Sequence, residues 1–305
     1  MQKKIDAQYI SAFSSSINNL KKPVPFISIR PRIEDSDNRI GLVFLNGLNG
    51  TKEVIAYFNH PVFANKWLFT FDNLAQGANY NFATKKYKKY VNTAAACIEH
   101  LMQKYPQISD WYLIGESWGG AIMILLAQKG LNSKIKGLFF WNMPCKIVNV
   151  DPRTKKKAFL NHLKVLLNFF LSIPLQTDNP VNPKLTNNPI LLKVMEAFTE
   201  PKINVGTIIA CWKSFKPAWK YLIKNHAAIN FLYVQSQNDV LKDEKKVQNL
   251  LKNAGQKVIL FNRGTHILSF DKELDQALFL ELDKFIQNNS TINEKRSLLE
   301  IEKIE

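Results

Sequence analysis

The chain has 305 residues, 46% of them hydrophobic and 11% aromatic, which supplies a large core and excludes a disordered or fibrous protein. Its 41 Lys+Arg against 25 Asp+Glu give a net charge of +16, which raises an anionic membrane or nucleic acid as partner. Only six of the basic residues are arginine, the residue that reads bases by bidentate contacts, and no nucleic-acid motif is present, so nucleic acid is not expected.

The predicted elements alternate along the chain. After a polar lead (1–23), Phe26–Ile29 reads as a short strand. Ile40–Leu45 is a continuous apolar run ending in Asn46-Gly47, the pattern of a buried strand and a tight turn. A crossover helix is expected before His60, and Lys66–Phe71 is the next strand. Lys85–Lys104 carries helical spacing through Tyr90, Ala94, Ile98 and Leu101. Trp111–Ile114 is a strand running into Gly115, Trp118–Gly130 a helix stopped by glycine, and Ile135–Trp141 another strand. Ile229–Val234 and Lys257–Phe261 are two more, with a helix between them near Leu241–Asn253. Asp271–Gln287 is an amphipathic helix, and the tail 290–305 reads as a solvated helix or mobile segment.

Buried strands separated by helices predict an α/β fold with a mostly parallel central sheet flanked by helices. Residues 146–226 break the alternation: they hold seven prolines, several helix-like segments and no good strand. They read as a helical cap inserted into a core made of 24–145 and 227–289. The cap carries 13 Lys+Arg against 4 Asp+Glu, a net of +9 out of the total +16. Lys155-Lys156-Lys157 adjoins an apolar helical stretch reaching Phe170 and Ile173. That pattern fits a helix on an anionic membrane surface, or a cap helix over the core with solvated lysines.

No apolar run is long enough to span a bilayer, and no signal core follows the basic first residues. The expected location is cytoplasmic, with peripheral membrane contact through the basic cap. Cys97, Cys145 and Cys211 include no CxxC pair, which argues against a disulfide framework or a cysteine zinc site.

The sharpest motif is Gly115-Glu116-Ser117-Trp118-Gly119, a G-x-S-x-G between a strand and a helix. A serine on such a turn is lifted above the sheet, and the glycines let the backbone pass closely. Serine becomes a nucleophile only beside a base that an acid orients. Among the five histidines, His266 alone lies on a loop at the C-terminal edge of the strands, where Ser117 also lies. His60, His100, His162 and His226 read as surface or packing residues. Asp239 follows the strand Ile229–Val234 at the same edge and is the candidate acid, or else the N-cap of the next helix. Asp243 is its nearest rival, and Asp72 precedes the serine. The oxyanion formed on attack needs two backbone donors, assigned to Trp118 and to Leu48 in the loop Asn46–Gly50. The scheme uses no metal and no cofactor.

Together these loops resemble the α/β-hydrolase family over about residues 24–288. The similarity is nearest to its monoacylglycerol lipase and lysophospholipase branch, which also resembles the serine aminopeptidases. The cap after the sixth strand, Leu185-Thr186-Asn187-Asn188-Pro189, Phe198–Pro201 and the loop Phe71–Asn79 carry the resemblance further. The chain departs from the family pattern in Asn46 before Gly47, in lacking an arginine before Gly77, and in Gln235-Ser236 before the acid.

The resemblance implies a serine hydrolase of carboxylic esters whose substrate is a monoacylglycerol or lysophospholipid. An acyl thioesterase would use the same residues. An aminopeptidase would need a carboxylate for a free amine, for which Glu196 and Glu200 are candidates. A ligand-binding protein without catalysis is the reading from another class.

Overall fold

Ile40–Leu45 has no polar side chain to expose, so it sits at the centre of the sheet. The structure, a computed structural model, describes residues 10–15, 24–29, 31, 39–48, 50–52, 60–130, 134–144, 176–178, 202–239, 241–254, 257–270 and 274–301. Its strands are β1 (Ile10–Ser15), β2 (Val24–Ile29), β3 (Ile40–Leu45), β4 (Trp67–Phe71), β5 (Asp110–Glu116) and β6 (Ile135–Trp141). Two three-residue strands follow, β7 (Gln176–Asp178) and β8 (Lys202–Asn204), and then β9 (Phe231–Ser236) and β10 (Val258–Phe261). The helices described are α1 (Tyr87–Lys104), α2 (Trp118–Gln128), α3 (Val205–Asn225), α4 (Glu244–Ala254) and α5 (Asp275–Ile301).

Eight strands form one sheet in the order β1-β2-β4-β3-β5-β6-β9-β10. From β4 to β10 every neighbouring pair is parallel, while β1 and β2 add an antiparallel edge. The alternation of strand side chains divides the core in two. Val43, Leu45, Leu113, Phe140 and Tyr233 face one side, with α1, α2, α3 and Leu250 of α4. Leu42, Phe44, Ile114, Phe139 and Val234 face the other, with the turn Pro61–Phe63 and Leu278, Phe279, Leu282 and Ile286 of α5. Each such side chain, fully buried, contributes about 1.5–3 kcal/mol.

Three expectations from sequence need amendment. The lead is not featureless: Ile10–Ser15 pairs residue for residue with Val24–Ile29. The stretch 146–226 does contain strands, since β7 and β8 form an antiparallel ribbon. Its last part, α3, packs against α2 and α1 and so belongs to the helical layer of the sheet. Trp118 Nε1 donates to Ser214 Oγ at 3.0 Å, and Trp219 Nε1 to the carbonyl of Pro144 at 3.0 Å. From 290 to Ile301 the tail is helical, one of the two forms expected of it, and continues α5. The crossover helix before His60 and most of the cap, including Lys155–Ile173, His162, Leu185–Pro189, Glu196 and Glu200, lie outside the described residues.

Candidate active site

The loop after β5 turns so sharply that Ser117 takes φ 53°, ψ −117°, a strained conformation costing about 1–3 kcal/mol. Tight packing holds it there. A Cβ on Gly115 would come 2.8 Å from the backbone nitrogen of Gly120. The Ser117 N–H donates to the carbonyl of Trp141 at 3.1 Å. The turn leads straight into α2, whose first residue is Trp118.

His266 reaches Ser117 from the loop after β10. Its Nε2 is 2.8 Å from Ser117 Oγ, and its Nδ1 is 3.0 Å from Asp239 Oδ1. All three residues are buried. With Nδ1–H donating to Asp239, Nε2 is left to accept the serine's proton. Asp239 also accepts from the Leu241 N–H at 2.9 Å and from Gln235 Nε2 at 3.2 Å. Burial alone would raise Asp239, but the His266 charge and these hydrogen bonds leave it below its ordinary value. Burial alone would lower His266, yet Asp239, with Glu116 added, raises it.

The rival residues are occupied elsewhere. Asp243 caps α4 through the Lys246 N–H at 3.3 Å. Asp72 pairs with Lys52 Nζ at 3.0 Å. His60 accepts from the Val62 N–H, His100 lies edge-on to Phe26, and His226 Nδ1 is 2.9 Å from the carbonyl of Ile223. Leu48 lies in the loop beside Ser117, since a Cβ on Gly47 would fall 3.3 Å from Ser117 Cβ. Among the described residues, no group of three or more His, Cys, Asp or Glu could hold a metal ion, and no helix is long and apolar enough to cross a membrane.

Asn142, Glu116 and Ser269, for which the sequence suggested no role, brace the site. Asn142, at φ 46°, puts Nδ2 within 2.9 Å of Ser236 Oγ and the carbonyls of Thr265 and His266. Its Oδ1 accepts from the Ser236 N–H at 2.8 Å and Gln235 Nε2 at 3.0 Å, so one amide ties the His266 loop to the Asp239 loop. Glu116 accepts from Ser269 Oγ at 2.7 Å and Trp141 Nε1 at 3.2 Å, which links the Ser117 turn to the His266 loop. Burial raises the Glu116 carboxyl, with Ser269, His266 and Trp141 opposing. Asn142 follows an apolar strand, which is a signal only of position, and nothing in the sequence pairs Glu116 with Ser269.

The sequence matches the family described as serine aminopeptidase, S33, across residues 39–273. No curated protein matches it by sequence. Among solved structures, a soluble variant of monoglyceride lipase from Saccharomyces cerevisiae, determined with a substrate analog, superposes with a TM-score of 0.76 at 14% identity. That match covers 94% of this chain and 97% of the lipase. The monoacylglycerol lipase of Paleococcus ferrophilus gives 0.67 at 16% identity over 87% of this chain and 99% of that one. A carboxyl esterase from Bacillus coagulans gives 0.66 at 13% identity over 92% and 98%. At these identities the likeness concerns the α/β-hydrolase fold.

Proposed function

The chain belongs to the serine aminopeptidase S33 family, and from that premise we propose that it hydrolyses carboxylic esters of monoacyl lipids, a monoacylglycerol or a lysophospholipid. The observation that carries this reading is the hydrogen-bonded run Ser117–His266–Asp239 on a strained turn before α2. Ser117 Oγ attacks the acyl carbonyl while His266 Nε2 takes its proton. Asp239 holds the imidazole in the required tautomer and stabilises its charged form. The N–H groups of Trp118 and Leu48 receive the oxyanion, a donor of this kind being worth about 3–4 kcal/mol in the transition state. His266 returns the proton to the leaving alcohol. A water molecule, deprotonated by the same base, then releases the acid.

Two considerations favour a monoacyl lipid. Lipases of that description match nearly the whole chain in fold. The insert sequence is apolar and basic, which suits contact with acyl chains and an anionic membrane. Equal sedimentation with and without anionic vesicles would remove the membrane contact. The family's description also favours an aminopeptidase, which needs a carboxylate for the substrate amine. Near Ser117, Glu116 is already engaged by Ser269 and Trp141, which weighs against it.

The test is a fluorescent fluorophosphonate applied to wild type, Ser117→Ala and His266→Ala, followed by acyl glycerols, lysophospholipids, acyl-CoA and aminoacyl naphthylamides. Labelling of wild type alone and turnover of the acyl glycerol or lysophospholipid is the expected result. Preference for acyl-CoA would make it a thioesterase. No labelling, with vesicles present or absent, would leave a binding protein on a hydrolase scaffold.

A further inference from the structure

Gln76 stands in the loop after β4, between Ala75 (φ 56°) and Gly77 (φ 43°), and is only 3% exposed. Its side-chain amide is engaged at both ends. Oε1 accepts from the Asn73 N–H at 3.2 Å, and Nε2 donates to the carbonyl of Gly47 at 2.7 Å. Since a backbone N–H can only donate and a carbonyl only accept, this pairing fixes which way the amide points.

The loop around it is braced as well. The Gln76 N–H donates to the carbonyl of Asn73 at 3.1 Å, and the carbonyl of Gln76 accepts from the Asn79 N–H at 2.8 Å. Asn79 Nδ2 holds the carbonyl of Asp72 at 2.6 Å. The Asp72 carboxylate fills the space beside Gly77, where a Cβ would meet it at 2.4 Å.

In a trans peptide the C=O and the following N–H point in opposite directions. Whatever holds the Gly47 oxygen therefore aims the Leu48 N–H. The peptide lies against the nucleophile, because a Cβ on Gly47 would be 3.3 Å from Ser117 Cβ. It sits in a turn with glycine at both ends, closed by the Gly50 N–H bonding to the same Gly47 oxygen at 3.1 Å. A single turn bond at glycines leaves such a peptide free to flip, which would put a carbonyl where a donor is needed.

We infer that Gln76 is the positioning residue that aims the Leu48 N–H at the oxyanion, through its hydrogen bond to the Gly47 carbonyl. This rests on the proposed hydrolase reading and on Leu48 as a donor. With its amide buried and engaged at both ends, Gln76 acts through the Gly47–Leu48 peptide and not on the substrate. Its effect belongs to the transition state and not to substrate binding.

The test compares wild type, Gln76→Glu and Gln76→Met on a soluble short-chain p-nitrophenyl ester. Gln76→Glu keeps shape and the acceptor but faces the Gly47 oxygen with a second oxygen. Loss of an oxyanion donor itself costs about 100- to 1,000-fold in kcat, so loss of its aim is expected to cost about 10- to 100-fold. KM should stay within about twofold, because ground-state contacts are untouched. Affinity for an alkyl trifluoromethyl ketone, whose serine adduct places an oxyanion in the hole, should fall with kcat. A purely structural role would not single out that adduct.

Thermal melting checks that each variant folds. A folded Gln76→Glu with kcat within threefold of wild type, or with unchanged ketone affinity, overturns the inference. So does failure of both variants to melt cooperatively, since the loop would then be structural. Wild type that neither labels with fluorophosphonate nor hydrolyses the ester sinks the functional reading and the inference with it. An active wild type beside equally active variants sinks the inference alone.

Discussion

A Cβ on Gly119 would stand 1.9 Å from the carbonyl oxygen of Leu45 and 2.9 Å from that of Asn46. The start of α2 therefore touches the end of β3 backbone to backbone, and neither partner is a flexible side chain. Gly119→Ala must push the two apart at the base of the nucleophile turn. Overpacking of this kind costs about 1–3 kcal/mol where side chains can yield, and more where backbone must move. A fall of about 3 kcal/mol or more in urea unfolding is expected, with loss of fluorophosphonate labelling. Unchanged unfolding would mean the helix start can shift freely.

Asp239→Asn preserves shape but removes the charge that faces His266 Nδ1 at 3.0 Å. The amide can present a donor to that nitrogen and favour the wrong tautomer. A fall of about 10⁴-fold in kcat is expected, smaller than the effect of removing the serine's base, with little change in melting temperature. Steady-state kinetics on a short-chain ester reads it. A fall under tenfold would place the acid elsewhere.

The pH profile carries a sign. Burial would lower His266, but Asp239 and Glu116 raise it above the ordinary 6.5. Only unprotonated imidazole can accept the serine's proton. The acid limb of kcat/KM is therefore expected to rise through a midpoint above 6.5. Glu116→Gln removes one of the two negative partners and should move that midpoint to lower pH while Ser269 and Trp141 keep an acceptor. A shift to higher pH would contradict the electrostatic role of Glu116.

Asn142→Ala strands the Ser236 N–H and removes the donor shared by Thr265 and His266, all of it buried. Buried groups left without partners cost about 1–3 kcal/mol each, so a loss of about 2–4 kcal/mol is expected. Part of this is the cost of φ 46° for alanine. Asn142→Gly relieves only that part and should recover a fraction of the stability but not turnover. Recovery of both would make Asn142 a turn residue only.

What the sequence made legible follows from range. Ile40–Leu45 and Ile135–Trp141 read to the residue because Gly41–Leu45 and Gly137–Trp141 are buried throughout and no alternative period fits. The G-x-S-x-G turn is local chemistry, and its glycines are needed by contacts within a few residues and with Leu45. Ile10–Ser15 was hidden because its serines resemble a solvated lead, and only pairing with Val24–Ile29 makes it a strand. Asn142 was hidden for a like reason: its partners Ser236 and His266 lie 94 and 124 positions away. Gln235 and Ser236, which differ from the common glycine pattern, gain their purpose from that same amide.

Trp118 bonds Ser214 and Trp219 bonds Pro144, so the two roots of the insert are fastened to each other and to the residue behind the nucleophile. This bears on recombining inserts among relatives. A cassette exchanged at 146–226 would tear out α3, a wall of the core, and leave the Trp118 indole without its acceptor. The same exchange closed at 204 keeps that wall and both tryptophan bonds, which makes Asn204, not His226, the natural seam for grafting a different insert onto this scaffold.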